Sequence, residues 1–152
     1  MNIVIGADHG GYQLKNTLTG FLRDRGHGVA DVGAFSGESS DYPDFARLVA
    51  DKIILLEAER GILICGSGVG ASIAANKFHG IRAAVCHDTY SSRQGVEDDD
   101  MNVLCLGARI IGVELAKEVV TAFLKARFKD LDRYKRRLRK VKEIEEQWMK
   151  RS

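Results

Sequence analysis

The run Ile62-Leu63-Ile64-Cys65 passes directly into Gly66-Ser67-Gly68-Val69-Gly70-Ala71-Ser72, and this join constrains the fold more than any other stretch of the chain. Branched apolar residues in an unbroken run read as a buried strand. The glycines then make a turn, and the small residues from Ala71 to Lys77 read as the start of a helix. That order leaves several backbone N–H groups and a helix N-terminus facing one point in space, a site for an anion. The thiol of Cys65 stands at its edge, where positive potential favours thiolate. A base or nucleophile beside an anion cradle points to an enzyme.

The same alternation recurs along the chain. Ile3 to Ile5, Gly28 to Val32, Gly61 to Cys65, Ile81 to Cys86 and Asn102 to Leu106 are candidate strands. Helical patterns lie between and after them, near residues 11–25, 43–59, 70–78, 90–97 and 112–126. Near-continuous apolar strands separated by helices predict an α/β fold with a parallel sheet covered on both faces. Five strands at this spacing fit a doubly wound open sheet, whose ligands bind outside the carboxyl ends of the strands. Asp8 and His9, Cys65 to Gly70, His87 and Asp88, and Arg109 all fall there. At 152 residues with no Pro-, Gly- or Ser-rich linker, one domain over 1–152 is expected.

The segment 129–152 is a different object. Leu131, Tyr134, Leu138, Val141 and Trp148 form one apolar helical stripe that either wraps its own sheet or packs on another subunit. Arg133 and Arg137, four apart, suit a shared grip on one phosphate. From Lys125 onward twelve Lys+Arg stand against five Asp+Glu, so a net charge of +2 conceals +7 in the tail and −5 elsewhere. The tail therefore suits an anionic partner, which can be as small as a phosphate. No run is long enough for a membrane span, so no membrane partner is expected. Cys65, Cys86 and Cys105 each end a candidate strand and lack zinc-type spacing. They read as reduced thiols of a cytoplasmic protein, with Cys86 and Cys105 inert and buried.

Other motifs resolve against simpler alternatives. The glycine turn lacks the spacing of a dinucleotide fingerprint, follows the third strand rather than the first, and lacks the Gly-Lys-Ser/Thr of a P-loop. A tight turn packed on its glycines is its plain alternative, and the company of Cys65 and Ser67 favours an anion or oxyanion site. Asp8-His9-Gly10-Gly11 leaves two readings open, a positioned acid or a locally paired loop histidine. Asp41-Tyr42-Pro43-Asp44 reads as a helix start with Asp41 as cap and Tyr42 within reach of a ligand. Glu97-Asp98-Asp99-Asp100 reads as a solvated loop, and no metal is expected.

Taken in order, Gly6-Ala7-Asp8-His9-Gly10-Gly11, Asp41-Tyr42-Pro43, Cys65-Gly66-Ser67-Gly68-Val69-Gly70 with Ser72 to Lys77, Gly80-Ile81-Arg82-Ala83, and Asn102-Val103-Leu104 with Gly107-Ala108-Arg109 span nearly the whole chain. Together they resemble the type B ribose-5-phosphate isomerases, a family that also holds the galactose-6-phosphate isomerase subunits. The resemblance implies a Rossmann-like three-layer sandwich with an extra C-terminal helix, and a homodimer or homotetramer with active sites shared between subunits. It implies that Cys65 moves the proton between C1 and C2 of a sugar phosphate, with Ser67 assisting. An enediolate oxygen needs donors, and the N–H groups of Gly66, Ser67, Gly68, Val69 and Gly70 suit that need. By the same resemblance Asp8, His9, Tyr42 and Asp99 contact the sugar or phosphate, and Arg109, Arg133 and Arg137 hold the phosphate. The last two would come from the neighbouring subunit.

One departure stands out. Relatives commonly carry a histidine at the position of Asp98, taken to protonate the ring oxygen in ring opening, and often histidines at those of Arg93 and Tyr134. An aspartate is ordinarily ionised near neutrality, so it donates a proton only where burial and neighbouring acids raise its pKa. The expected activity is ribose 5-phosphate to ribulose 5-phosphate, with Asp98 the third catalytic candidate. Isomerisation of an allose, galactose or tetrose phosphate is the alternative. A phosphosugar-binding protein weakened in catalysis is the other, and retention of Cys65 argues against it because a binder needs no thiol. The reaction requires no cofactor. In the segment 129–152 only Tyr134 and Trp148 offer stacking surfaces, which argues against nucleic acid.

Overall fold

The computed structural model describes residues 1–151. Five strands, β1 (Asn2–Ala7), β2 (Gly28–Asp31), β3 (Arg60–Cys65), β4 (Ala83–Val85) and β5 (Val103–Gly107), form one sheet in the order β2-β1-β3-β5-β4 with every pairing parallel. Six helices complete the fold: α1 (Tyr12–Asp24), α2 (Tyr42–Ile54), α3 (Val69–Ala75), α4 (Thr89–Asp99), α5 (Val113–Lys125) and α6 (Asp132–Met149). This is the parallel α/β sheet expected from the alternation and the Rossmann-like architecture that the resemblance implies.

Period-two geometry of a strand explains why each run is apolar throughout. Ile3, Ile5 and Ala7 of β1, Ile62 and Ile64 of β3, and Leu104 and Leu106 of β5 pack with Leu14, Leu18, Val119 and Phe123 on the face of α1, α4 and α5. The alternate residues Val4, Leu63, Cys65, Val103 and Cys105 pack with Val49, Ile53, Ala71 and Ala75 on the face of α2 and α3. Both faces being buried, each Val, Leu, Ile or Phe among them contributes about 1.5–3 kcal/mol of transfer free energy. The same rule sends Cys65 toward α3, and Cys105 lies within β5 instead of at its end.

Several boundaries differ from expectation, among them that of α2, which ends at Ile54 instead of near residue 59. The edge strand β4 is short and only half-buried, because it has one neighbour in the sheet. α3 stops at Ala75, where the chain turns through Asn76 to reach β4. The acidic run is not a solvated loop: Glu97, Asp98 and Asp99 form the last turn of α4, and Asp100 caps it in the left-handed region at φ 52°. Arg82 holds that end by donating to the Asp100 carbonyl at 2.7 Å and to its carboxylate at 3.1 Å.

α6 leans on its own chain at two points. Tyr134 is buried, and Glu145 accepts from the Gly80 N–H at 3.0 Å. Leu138 is half-buried, and the rest of the apolar stripe is uncovered, with Leu131, Val141, Ile144 and Trp148 between 45% and 62% exposed. None of the helices among the described residues is long and apolar enough to cross a membrane.

Candidate active site

The carboxyl ends of β1, β3 and β5 meet at the glycine turn. The Asp8 N–H donates to the Ile64 carbonyl at 3.2 Å, while Ala108 and Arg109 donate to the carbonyls of Cys65 and Gly66 at 2.9 and 3.0 Å. Gly68, at φ 81°, lets the chain reverse into α3 in a conformation other residues rarely adopt. Its N–H then points back and donates to Cys65 Sγ at 3.1 Å. The Val69 N–H donates to Ser67 Oγ at 3.2 Å. Beyond Val69, the amides of Gly70 and Ala71 have no carbonyl one turn earlier, so they face the open end of the turn.

Side chains from three other segments close around this turn. Asp8 is buried, and its Oδ1 accepts from the N–H groups of Gly10 at 2.9 Å and Gly11 at 3.3 Å. Gly10 in turn lies so near Gly66 that a Cβ there would stand 3.3 Å from the Gly66 nitrogen. The Arg109 guanidinium lies against Gly66, and the Tyr42 ring lies on Gly70, where a Cβ would meet ring carbon Cζ at 2.8 Å. His9 is exposed and paired across the fold: its N–H donates to Ser40 Oγ at 3.1 Å and its Nδ1 meets the Ser40 main chain. Asp41 occupies the cap position of α2, yet its side chain makes no capping hydrogen bond. Asp8, His9, Ser40 and Tyr42 border a cleft of about 480 Å³.

The three thiols are not equivalent. Burial, then Asp88, pushes the Cys86 thiol up to about 11. Burial, reinforced by Cys65 and Cys86, raises that of Cys105 further. Cys65 alone of the three has its sulfur at the glycine turn, where the Gly68 N–H donates to it. Brief treatment with iodoacetamide near neutral pH should therefore label Cys65 well ahead of Cys86 and Cys105, read by peptide mass spectrometry.

The remaining candidates gather at the opposite edge of the sheet. Asp98 Oδ2 accepts from Gln94 Nε2 at 2.8 Å, and its Oδ1 lies 4.0 Å from Lys129 Nζ. Desolvation, then Asp98, holds the Asp99 carboxyl above the usual range, against the opposing pull of Arg137. Arg133 and Arg137 face the Tyr134 ring at 4.6 and 6.0 Å from its centroid. The length of β5 separates this group from Cys65, about 13 Å by the rise of a strand. One chain thus assembles Asp8, His9, Tyr42, Cys65–Gly70 and Arg109 at one edge, and Asp98, Asp99, Arg133 and Arg137 at the other. Ser40, which holds His9, carries no sequence signal of its own, since it meets the site only through a contact 31 residues away.

A parallel sheet with a thiol at the mouth of its glycine turn defines an enzyme of the Rossmann-like α/β class. The chain belongs to the ribose/galactose isomerase family, whose model matches residues 3–141. It is 45% identical to ribose-5-phosphate isomerase B of Escherichia coli over 144 residues, covering 95% of this chain and 96% of that one. It is 47% identical to the D-erythrulose-4-phosphate isomerase of Pectobacterium atrosepticum over 129 residues, covering 84% and 85%. The solved structure of Clostridium thermocellum ribose-5-phosphate isomerase B superposes with a TM-score of 0.95 at 49% identity, covering 97% of this chain and 99% of that one. The chain is accordingly an isomerase.

Proposed function

We propose that this isomerase interconverts ribose 5-phosphate and ribulose 5-phosphate through an enediolate, with Cys65 as the base. The observation that carries the reading is the Gly68 N–H aimed at Cys65 Sγ inside an amide-lined turn. From the open-chain aldose, the Cys65 thiolate takes the C2 proton and the electrons move onto O1, giving the enediolate. The same sulfur returns the proton to C1, while the O2 proton passes to O1 and C2 becomes the carbonyl. Amide donors fixed in advance stabilise the oxygen charge that develops between these steps. Ser67, beside the sulfur in sequence and exposed, suits a contact to the substrate hydroxyls. Asp8, His9, Tyr42, Arg109 and the turn residues Gly66, Gly68, Val69 and Gly70 bind the remainder of the sugar phosphate.

Arg133 and Arg137 complete the phosphate site from a neighbouring subunit, with Asp98 and Asp99 arriving on the same edge. The separation of about 13 Å along β5 supports this, because one chain does not span it. The uncovered apolar residues of α6 support it too, since Val141 and Trp148 need a cover. The assembly is a homodimer or homotetramer. The test is conversion of ribose 5-phosphate without added metal. Formation of ribulose 5-phosphate is expected, and its absence with every pentose phosphate offered contradicts the reading.

Asp98 favours a second reading, preference for tetrose 4-phosphates. It accepts from Gln94 and faces Lys129, and it offers a carboxyl where the resemblance implies an imidazole to serve the ring oxygen. Tetrose 4-phosphates cannot close a five-membered ring, because the oxygen that would close it is esterified. Asp98→His should raise kcat/KM on ribose 5-phosphate by about tenfold where ring opening limits the rate, and leave erythrose 4-phosphate unchanged. No gain on the pentose phosphate removes ring opening as the discriminator.

A further inference from the structure

His87 stands at the carboxyl end of β4, beside the cradle and outside the set of residues assigned to substrate. Its Nε2 accepts a hydrogen bond from the Gly107 N–H at 2.9 Å. An acceptor nitrogen carries no proton, so in this contact Nε2 is the bare nitrogen of the ring. The contact matters because of what Gly107 touches. Gly107 is the last residue of β5 and pairs in register with Cys65. A Cβ on Gly107 would stand 2.5 Å from the Ser67 carbonyl oxygen, so its backbone already abuts the turn. A Cβ on Gly68 would stand 3.1 Å from the Gly107 nitrogen, the atom that His87 holds. The next two amides, Ala108 and Arg109, tie the same segment to the carbonyls of Cys65 and Gly66.

We propose that His87 is a positioning residue of the isomerase: by accepting from Gly107 N–H it fixes the end of β5 against Ser67 and Gly68, and so aims the Gly68 N–H at Cys65 and the Arg109 guanidinium over Gly66. It acts through backbone and touches neither the thiol nor the sugar phosphate. Without the acceptor, the Gly107 N–H loses its partner in a half-buried place, and the peptide rotates to find another. That rotation moves Gly68 and Arg109 together, which affects both the sulfur and the phosphate grip.

The activity arm of the test rests on the function proposed above; the thiol arm does not. His87→Leu removes the acceptor, and His87→Gln restores an acceptor oxygen at a similar reach. In each variant and in the unaltered protein, the rate of Cys65 alkylation by iodoacetamide is measured with no substrate present. The kcat and KM for ribose 5-phosphate are measured alongside. The leucine variant is expected to slow Cys65 alkylation and to lower kcat/KM, each by about tenfold, the loss of one hydrogen bond. The glutamine variant is expected to stay within about threefold of the unaltered protein in both. A leucine variant that matches the unaltered protein overturns the proposal, as does a folded glutamine variant impaired as much as leucine. Should the leucine variant fail to fold, the glutamine variant decides on the same terms. An unaltered protein inactive on every sugar phosphate contradicts the proposed function and leaves the alkylation rates to decide this one.

Discussion

Cys65→Ala is expected to lower kcat for ribose 5-phosphate by about 10³-fold, the usual contribution of a positioned base, with KM little changed. The sulfur is the only group of its side chain that can carry a proton, and the Gly68 N–H is already aimed at it. Alanine removes one atom from a buried place among small neighbours such as Ala71, so the loss of packing is slight. An unchanged melting temperature measured beside the kinetics separates lost chemistry from lost fold. Retention of a tenth or more of the activity would assign the proton transfer to another group.

The second large effect is expected at the other edge of the sheet. Replacing Arg133 and Arg137 together by alanine should reduce kcat/KM by about 10²–10⁴-fold, since each charge-assisted contact to phosphate contributes about 1.5–3 kcal/mol. The loss should appear chiefly in KM, because both arginines grip a part of the substrate that does not react. Both guanidinia pack on Tyr134 at the surface, and α6 retains its anchor through Glu145, so helix and fold should persist. A sugar lacking the phosphate should lose little between the two proteins. That contrast identifies the arginines as phosphate ligands rather than props for α6.

Much of this arrangement is legible in the amino-acid order alone. Five apolar runs with helical intervals locate every strand to within a few residues, because a sheet buried on both faces leaves little room for other patterns. The cradle is legible for the same reason: carboxyl-end residues converge whatever the loops between them do. What is not legible is of two kinds. The acidic run at Glu97–Asp100 reads as a solvated loop on charge alone, yet the helix carries Glu97, Asp98 and Asp99 through its last turn and Arg82 holds Asp100. Local charge does not report on partners 18 residues away. Long-range pairings such as Ser40 with His9, or His87 with Gly107, are equally invisible to a local pattern, since each depends on the crossover that brings two strand ends together. The two-edged distribution of the proposed site follows from topology, and only the register of β5 converts it into a distance.

In the proposed assembly the thiol of one subunit works with the arginines of another, and hybrid oligomers test this directly. Cys65→Ala subunits and Arg133→Ala/Arg137→Ala subunits, each nearly inactive alone, are mixed under conditions in which subunits exchange. In a dimer, half the random pairs are hybrids, and each hybrid holds one site with both its thiol and its arginines. Activity is therefore expected to return to about a quarter of that of the unaltered protein. A mixture that stays at the sum of its two parents, with exchange verified by mass, would place the whole site within one subunit and contradict the account.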